Sequence, residues 1–193
     1  MNYKSITVFG SASKSIEPKF IEPVFEVGAL IAEKGCRLVY GVGDEGLMGA
    51  AFRGARSKGG SVLGVTTDDL MDLQCKDISI FNNGELMLVD GLPTRKRKMF
   101  MEGDAILIAP GGWGTVDEFA EFATLVQIKQ LPRKPMIFLN FFDFWSPLKQ
   151  MEQAMLNAGT LNPQKIDFIR FVTAADQIFP AIDDVYTQIG QNK

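Results

Sequence analysis

The sequence predicts an α/β fold: a doubly wound, mostly parallel sheet with helices on both faces. Three observations carry this. Short apolar runs alternate along the chain with longer segments of helical period. The runs are mostly apolar throughout, as in Asp104–Ala109 (DAILIA), which is how strands buried on both faces read. Three run ends, at 10–13, 41–46 and 110–115, carry glycine or small-residue loops. In doubly wound sheets, ligands bind beyond the carboxyl ends of the strands.

The elements follow in order. Ser5–Phe9 reads as the first strand and ends in the turn Gly10-Ser11-Ala12-Ser13. Phe20 to Lys34 reads as a helix: Phe20, Val24, Val27 and Ile31 form its apolar stripe, and Gly35 stops it. Arg37–Tyr40 is a strand, a glycine loop follows, and a helix spans about 47–58. Ser61–Thr66 is the third strand, and 68–83 reads as irregular. A strand at 85–89 and a helix at about 94–102 lead to the strand 104–109. A helix at about 116–130, a strand at 135–140 and a helix at 145–158 come next. A strand at 169–172 and a helix from 175 to about 189 close the chain. No linker, repeat or charge block divides it, so residues 1–193 read as one domain. A chain this long should bury roughly 70% of its unfolded surface.

Composition removes whole classes of function. The chain has no histidine, which excludes Ser-His-Asp and Cys-His catalysis and histidine-liganded zinc. Two cysteines, Cys36 and Cys75, without a CxxC spacing, make neither a disulfide scaffold nor an all-cysteine metal site. They read as reduced cysteines of a cytoplasmic protein. A net charge of −3 argues against a non-specific nucleic-acid binder. No apolar run reaches the about 18 residues needed to span a membrane. Met1–Ser5 leads into a strand with no basic and apolar stretch of signal-peptide type.

Four stretches could carry chemistry. Pro110-Gly111-Gly112-Trp113-Gly114-Thr115-Val116-Asp117-Glu118 joins a buried strand to a helix. Glycines let backbone approach a ligand, and the free N–H groups and dipole of a helix start favour a phosphate. Thr115 adds a hydroxyl. The rival is a tight turn in which Thr115-x-x-Glu118 forms a capping box. Asp117, Glu118 and Glu121 crowd the same helix start. Their repulsion, a few tenths of a kcal/mol per pair, is comparable to what the dipole returns.

Leu92-Pro93-Thr94-Arg95-Lys96-Arg97-Lys98-Met99 is either a solvated basic helix start or a place where Arg95 grips an anion with its planar fork. Residues 95 and 98 or 99 share one side of a helix, while 96 and 97 point elsewhere. Gly41-Val42-Gly43-Asp44-Glu45-Gly46 matches G-x-G-x-x-G, and Asp68 stands where a ribose-binding acid would. Asp44 and Glu45 would repel a pyrophosphate, so a ribose or phosphate contact through Gly43, Gly46 and the helix start at Leu47 fits better. In Gly10-Ser11-Ala12-Ser13, Ser11 either shapes a turn or touches the same ligand.

On these residues the chain resembles the Lonely Guy family of cytokinin riboside 5′-monophosphate phosphoribohydrolases, often labelled lysine decarboxylases. The family signatures PGGxGTxxE and RKxxM read here as Pro110 to Glu118 and Arg95-Lys96-Arg97-Lys98-Met99. The YGGGxxGLMG loop corresponds to Tyr40 to Gly49, and the CGSS-like turn to Phe9-Gly10-Ser11-Ala12. The resemblance spans roughly residues 5–160. It implies a Rossmann-like fold and hydrolysis of the N-glycosidic bond of a nucleoside 5′-monophosphate, giving free base and ribose 5-phosphate. The substrate would be a cytokinin riboside 5′-monophosphate or AMP. The family's catalytic pair falls on Arg95 and Glu118. Its phosphate-binding residues fall on Gly112, Gly114 and Thr115, and its pattern also places Glu121 and Gln127 near the cleft. Together with the loops read above, Ser11, Gly43, Gly46, Lys96 and Gly111 complete the candidate phosphate and substrate contacts. The resemblance also implies a homodimer, and neither a metal nor an organic cofactor is called for.

Val42, Asp44, Pro93 and Trp113 depart from the family pattern around the pocket and bear on base specificity. A non-catalytic carrier of a nucleotide or of molybdenum cofactor is the alternative. It would have no need of the Arg95/Glu118 pair. An NAD-dependent oxidoreductase is a third reading, without a recognisable hydride-transfer site.

Overall fold

The computed structural model describes residues 3–74 and 78–191. Seven strands form one parallel sheet: β1 (Ser5–Phe9), β2 (Arg37–Tyr40), β3 (Val62–Thr66), β4 (Leu86–Leu88), β5 (Ala105–Ile108), β6 (Met136–Leu139) and β7 (Ile169–Val172). Their order is β4-β3-β2-β1-β5-β6-β7, and every pairing is parallel. The helices are α1 (Ile21–Glu33), α2 (Gly46–Ser57), α3 (Asp68–Gln74), α4 (Gly91–Glu102), α5 (Trp113–Gln127), α6 (Ser146–Asn157) and α7 (Ile178–Gln191). This is the doubly wound, Rossmann-like α/β arrangement the sequence predicts.

Strand alternation divides the core between the two faces of the sheet. Ile6, Val8, Leu38, Tyr40, Ala105 and Leu107 pack with α1 and α2 through Val24, Val27, Ile31, Leu47 and Ala51. Phe9, Val39, Ile106 and Ile108 pack on the opposite face with Met99, Phe100, Phe119 and Phe122 from α4 and α5. α7 reaches both clusters, with Ile178 and Ile182 in one and Val185 in the other.

Helix ends follow local chemistry. α1 stops in a Schellman motif: Gly35 takes φ +70°, its N–H donates to Ala32 O, and Cys36 N–H donates to Ile31 O. Gly59 and Gly159 close α2 and α6 in the same way.

The stretch 68–83, expected to be irregular, instead holds α3 and a 3-10 turn at Ile78–Ile80. Thr67 caps α3, its Oγ1 accepting from Leu70 N–H at 3.4 Å, and Asp68 and Asp69 sit in the first turn, where the helix dipole favours acids. Two helices also begin three residues before their expected starts: α4 at Gly91 and α5 at Trp113. Cys36 is buried and unpaired; Cys75 lies outside the described residues.

The strand order reverses between β1 and β5. That switch point leaves a crevice at the carboxyl edge. The loops after the two strands are joined there, Ser11 N–H donating to Pro110 O at 3.0 Å.

Candidate active site

A cleft of about 320 Å³ opens at this switch point. Its walls come from four places: Phe9 to Ala12 after β1, Gly41 and Val42 after β2, Leu92, Arg95 and Lys96 on α4, and Gly112 to Glu118 at the start of α5. Met48 on α2 and Leu70 on α3 complete it.

Arg95 is the best-anchored charge in the cleft. Its side chain is only 10% exposed. Nε donates to Val65 O at 3.0 Å, and Nη2 donates to Gly41 O at 2.7 Å. Nη1 then lies 3.7 Å from Glu118 Oε1. A guanidinium suits this position because its donors diverge in one plane. The position also requires Gly41, because a Cβ there would stand 1.8 Å from Nη2. Burial pulls the Arg95 pKa below its ordinary value, and the charge of Glu118 works against that fall.

Glu118 is pushed the other way. Burial raises its carboxyl from the usual 4.5 to about 7, with repulsion from Asp117 adding and Arg95 and Lys96 opposing. A carboxyl poised near neutrality can give or take a proton at physiological pH.

The first residues of α5 settle the capping question. The helix is capped by Gly112, which has no side chain to bond, and Val116 N–H makes the first intrahelical bond, to Gly112 O at 3.0 Å. Thr115 is the third helical residue and Glu118 the sixth, so they form no capping box. The N–H groups of Trp113, Gly114 and Thr115 precede that first bond and are left for other acceptors. A Cβ at Gly112 or Gly114 would meet no atom within 4 Å, so both glycines border open space.

Lys96 ties α4 to α5, its Nζ lying 2.7 Å from Asp117 Oδ2 and 2.5 Å from Glu121 Oε2. Burial lowers its pKa, but these bonds outweigh that and raise it overall. It lines the cleft although the helical count pointed it away from Arg95, because α5 draws it inward.

The cleft brings together Arg95, Glu118, Ser11, Lys96, Gly112, Gly114 and Thr115. Gly43, Gly46, Gly111 and Glu121 lie outside its lining. Gly46 has a packing role: at φ +59° it faces Ser11 O, and a Cβ would come within 2.7 Å of that oxygen. Gly111 makes room for Thr115 Oγ1, and Glu121 holds Lys96. Gln127 ends α5, about 13 Å along the helix from Glu118. Asp68 lines a separate crevice with Thr67, Asp69 and Asp90.

Gly10, Gly41, Met48 and Leu92 belong to the candidate stretches of the sequence without being named as contacts, and Leu70 lies outside all of them. For Gly41 the signal was its place directly after a strand; the apolar residues gave none. Among the described residues, no group of three or more His, Cys, Asp or Glu could hold a metal ion.

A family described as possible lysine decarboxylase matches residues 48–182. A cytokinin riboside 5′-monophosphate phosphoribohydrolase of Arabidopsis thaliana is 32% identical over 161 residues, covering 83% of this chain and 72% of the relative. The chain belongs to this family, the Lonely Guy family. A phosphoribohydrolase of the same name from Rhodococcoides fascians is 32% identical over 160 residues, covering 83% of this chain and 79% of the relative. Among solved structures, the molybdenum cofactor carrier protein of Chlamydomonas reinhardtii superposes with a TM-score of 0.67 at 19% identity, over 96% of this chain and 99% of that one. That likeness concerns the fold alone. Lonely Guy relatives named as phosphoribohydrolases point to a hydrolase, and the carrier reading is not favoured.

The decarboxylase description has little chemical footing here. An imine-forming lysine must be neutral to react. Lys96, the lysine of the lining, sits between two carboxylates that hold its proton.

Proposed function

We propose that this protein hydrolyses the N-glycosidic bond of a nucleoside 5′-monophosphate, with a cytokinin riboside 5′-monophosphate or AMP as substrate. The observation that carries the reading is the buried Arg95–Glu118 pair, 3.7 Å apart, beside an uncapped helix start in one cleft.

In this reading the phosphate is taken by the N–H groups at the start of α5 and the hydroxyl of Thr115. Ser11 adds a hydroxyl from the β1 loop. The sugar then lies toward Arg95 and Glu118. As the bond from C1′ to the base nitrogen breaks, positive charge develops on the sugar ring. The Glu118 carboxylate stabilises that charge and accepts a proton from the attacking water. Water supplies its hydroxyl to C1′, and the proton that Glu118 takes from it passes to the departing base nitrogen. Arg95 is locked to two backbone carbonyls, so it orients the substrate without rearranging.

No group in this scheme needs a metal or organic cofactor. We also take the protein to be a cytoplasmic homodimer. Exposed Trp113 beside the cleft is consistent with a partner surface, and sedimentation tests it.

The direct test follows base release by chromatography from AMP, isopentenyl-AMP and adenosine. Release from a monophosphate with little from adenosine is expected, because the α5 start needs its anion. Equal release from adenosine would remove the phosphate role. Binding of nucleotides without release of any base would favour a carrier.

A further inference from the structure

Val42 holds a conformation that β-branched residues avoid. Its φ is 59°, in the left-handed region, where Cβ substituents crowd the backbone. Such strain persists only where the surroundings over-determine it, and it gathers at ligand sites. Here the surroundings are visible. Arg95 grips the carbonyl of Gly41, the preceding residue, and that of Val65 on the neighbouring strand. Gly64 provides a notch for the Val42 side chain: a Cβ at Gly64 would lie 2.6 Å from Val42 Cγ2 and 3.0 Å from the Phe81 ring. Val42 is 1% exposed and lines the cleft. Its isopropyl group is therefore a fixed piece of wall.

The position of that wall assigns it a task, given the nucleotide reading above. The α5 start takes the phosphate, and Arg95 with Glu118 takes the sugar. What remains is the apolar side formed by Val42, Met48, Leu70 and Leu92. A base, flat and apolar on its faces, belongs there. We infer that Val42 is a specificity-determining residue. It keeps the base pocket short, so that a plain adenine nucleotide is preferred over one with an alkyl chain on the exocyclic amine. Without the two methyl groups, the space beside Arg95 would extend toward Gly64 and Phe81.

The test compares the full-length protein with Val42→Ala and Val42→Gly. Calorimetry gives Kd for AMP and isopentenyl-AMP, and base release gives kcat/KM for both. Alanine keeps the strained conformation and removes the methyls; glycine removes both. The wild type should prefer AMP. Both variants should move the Kd ratio toward isopentenyl-AMP by about tenfold or more, the scale on which a hydrophobic pocket resolves small groups. An unchanged ratio, a wild-type preference for the alkylated nucleotide, or a shift in the glycine variant alone would overturn the assignment. If the Kd ratio shifts as expected and no protein releases base, the hydrolase reading fails while Val42 keeps its role. If neither nucleotide binds, both are overturned.

Discussion

At the scale of single residues, the cleft depends on where two opposite charges have been put. Glu118 is nearly buried, and burial holds its carboxyl at about 7 despite the guanidinium beside it. If its ionised form does the chemistry, kcat/KM should fall as pH drops through 7, and the residual activity of Glu118→Gln should lack that limb. The same displacement acts on stability. A carboxyl whose folded pKa lies above its unfolded value favours the folded state fully below about pH 4.5, and that advantage is lost as pH rises through 7. The wild type should therefore lose stability relative to Glu118→Gln across that window, by up to roughly 3 kcal/mol. Urea titrations at pH 4.5 and pH 8 measure it; a pH-independent difference would mean that Glu118 titrates normally.

Arg95 makes a second residue-scale prediction. Arg95→Lys keeps the charge and loses the fork, so the carbonyls of Val65 and Gly41 lose a charged donor. Destabilisation of about 1.5–3 kcal/mol is expected, with an unchanged urea m-value. The sequence offered Arg95 as part of a solvated helix start or as an anion grip. It could not show that two of the arginine's donors are spent on backbone. That depends on strands 30 and 54 residues away meeting beneath it.

At the scale of elements, α1 and α2 touch backbone to backbone. A Cβ at Gly28 would stand 2.0 Å from Ala51 O, and one at Gly54 would stand 1.9 Å from Phe25 O. Gly54→Ala therefore sets helix propensity against packing. Propensity alone would favour alanine by about 1 kcal/mol. The clash is with backbone, which cannot swing aside, and overpacking of this kind costs about 1–3 kcal/mol. A net fall in Tm is expected by calorimetry; a rise would mean the helices can move apart freely.

Lys134 joins two other elements. Its buried Nζ donates to Phe100 O at 2.6 Å and to Gly103 O at 2.5 Å, closing the end of α4. Lys134→Met should cost about 1.5–3 kcal/mol in chemical denaturation, since two carbonyls lose a charged donor. Element types were largely readable because a doubly buried strand and an amphipathic helix leave different periods in sequence. The start of α5 was not, because glycine caps it and a Thr-x-x-Glu spacing three residues on imitates a cap. α3 was passed over although Thr67-Asp68-Asp69 carries a cap and acids for a first turn.

At the scale of the whole molecule, one topological fact organises the site. The chain winds outward from β1 in one direction and then returns to its other side with β5. Two glycine-bearing loops are thereby placed side by side. The strand-end loops made that crevice legible in sequence. Its apolar wall was not legible, since Met48, Leu70 and Leu92 read like any core or surface residue until the sheet brings them together. Gly46 shows something the motif alone did not: it serves the close approach of α2 to the β1 loop.

In the proposed reaction the glycosidic bond is cleaved through Glu118. The most direct measurement is base release from AMP and isopentenyl-AMP by the wild type and Glu118→Gln in parallel, with nucleotide binding confirmed for both proteins. Release by the wild type, reduced about 10²–10⁴-fold in a variant that still binds, is the predicted result. Equal release by the two proteins would contradict it.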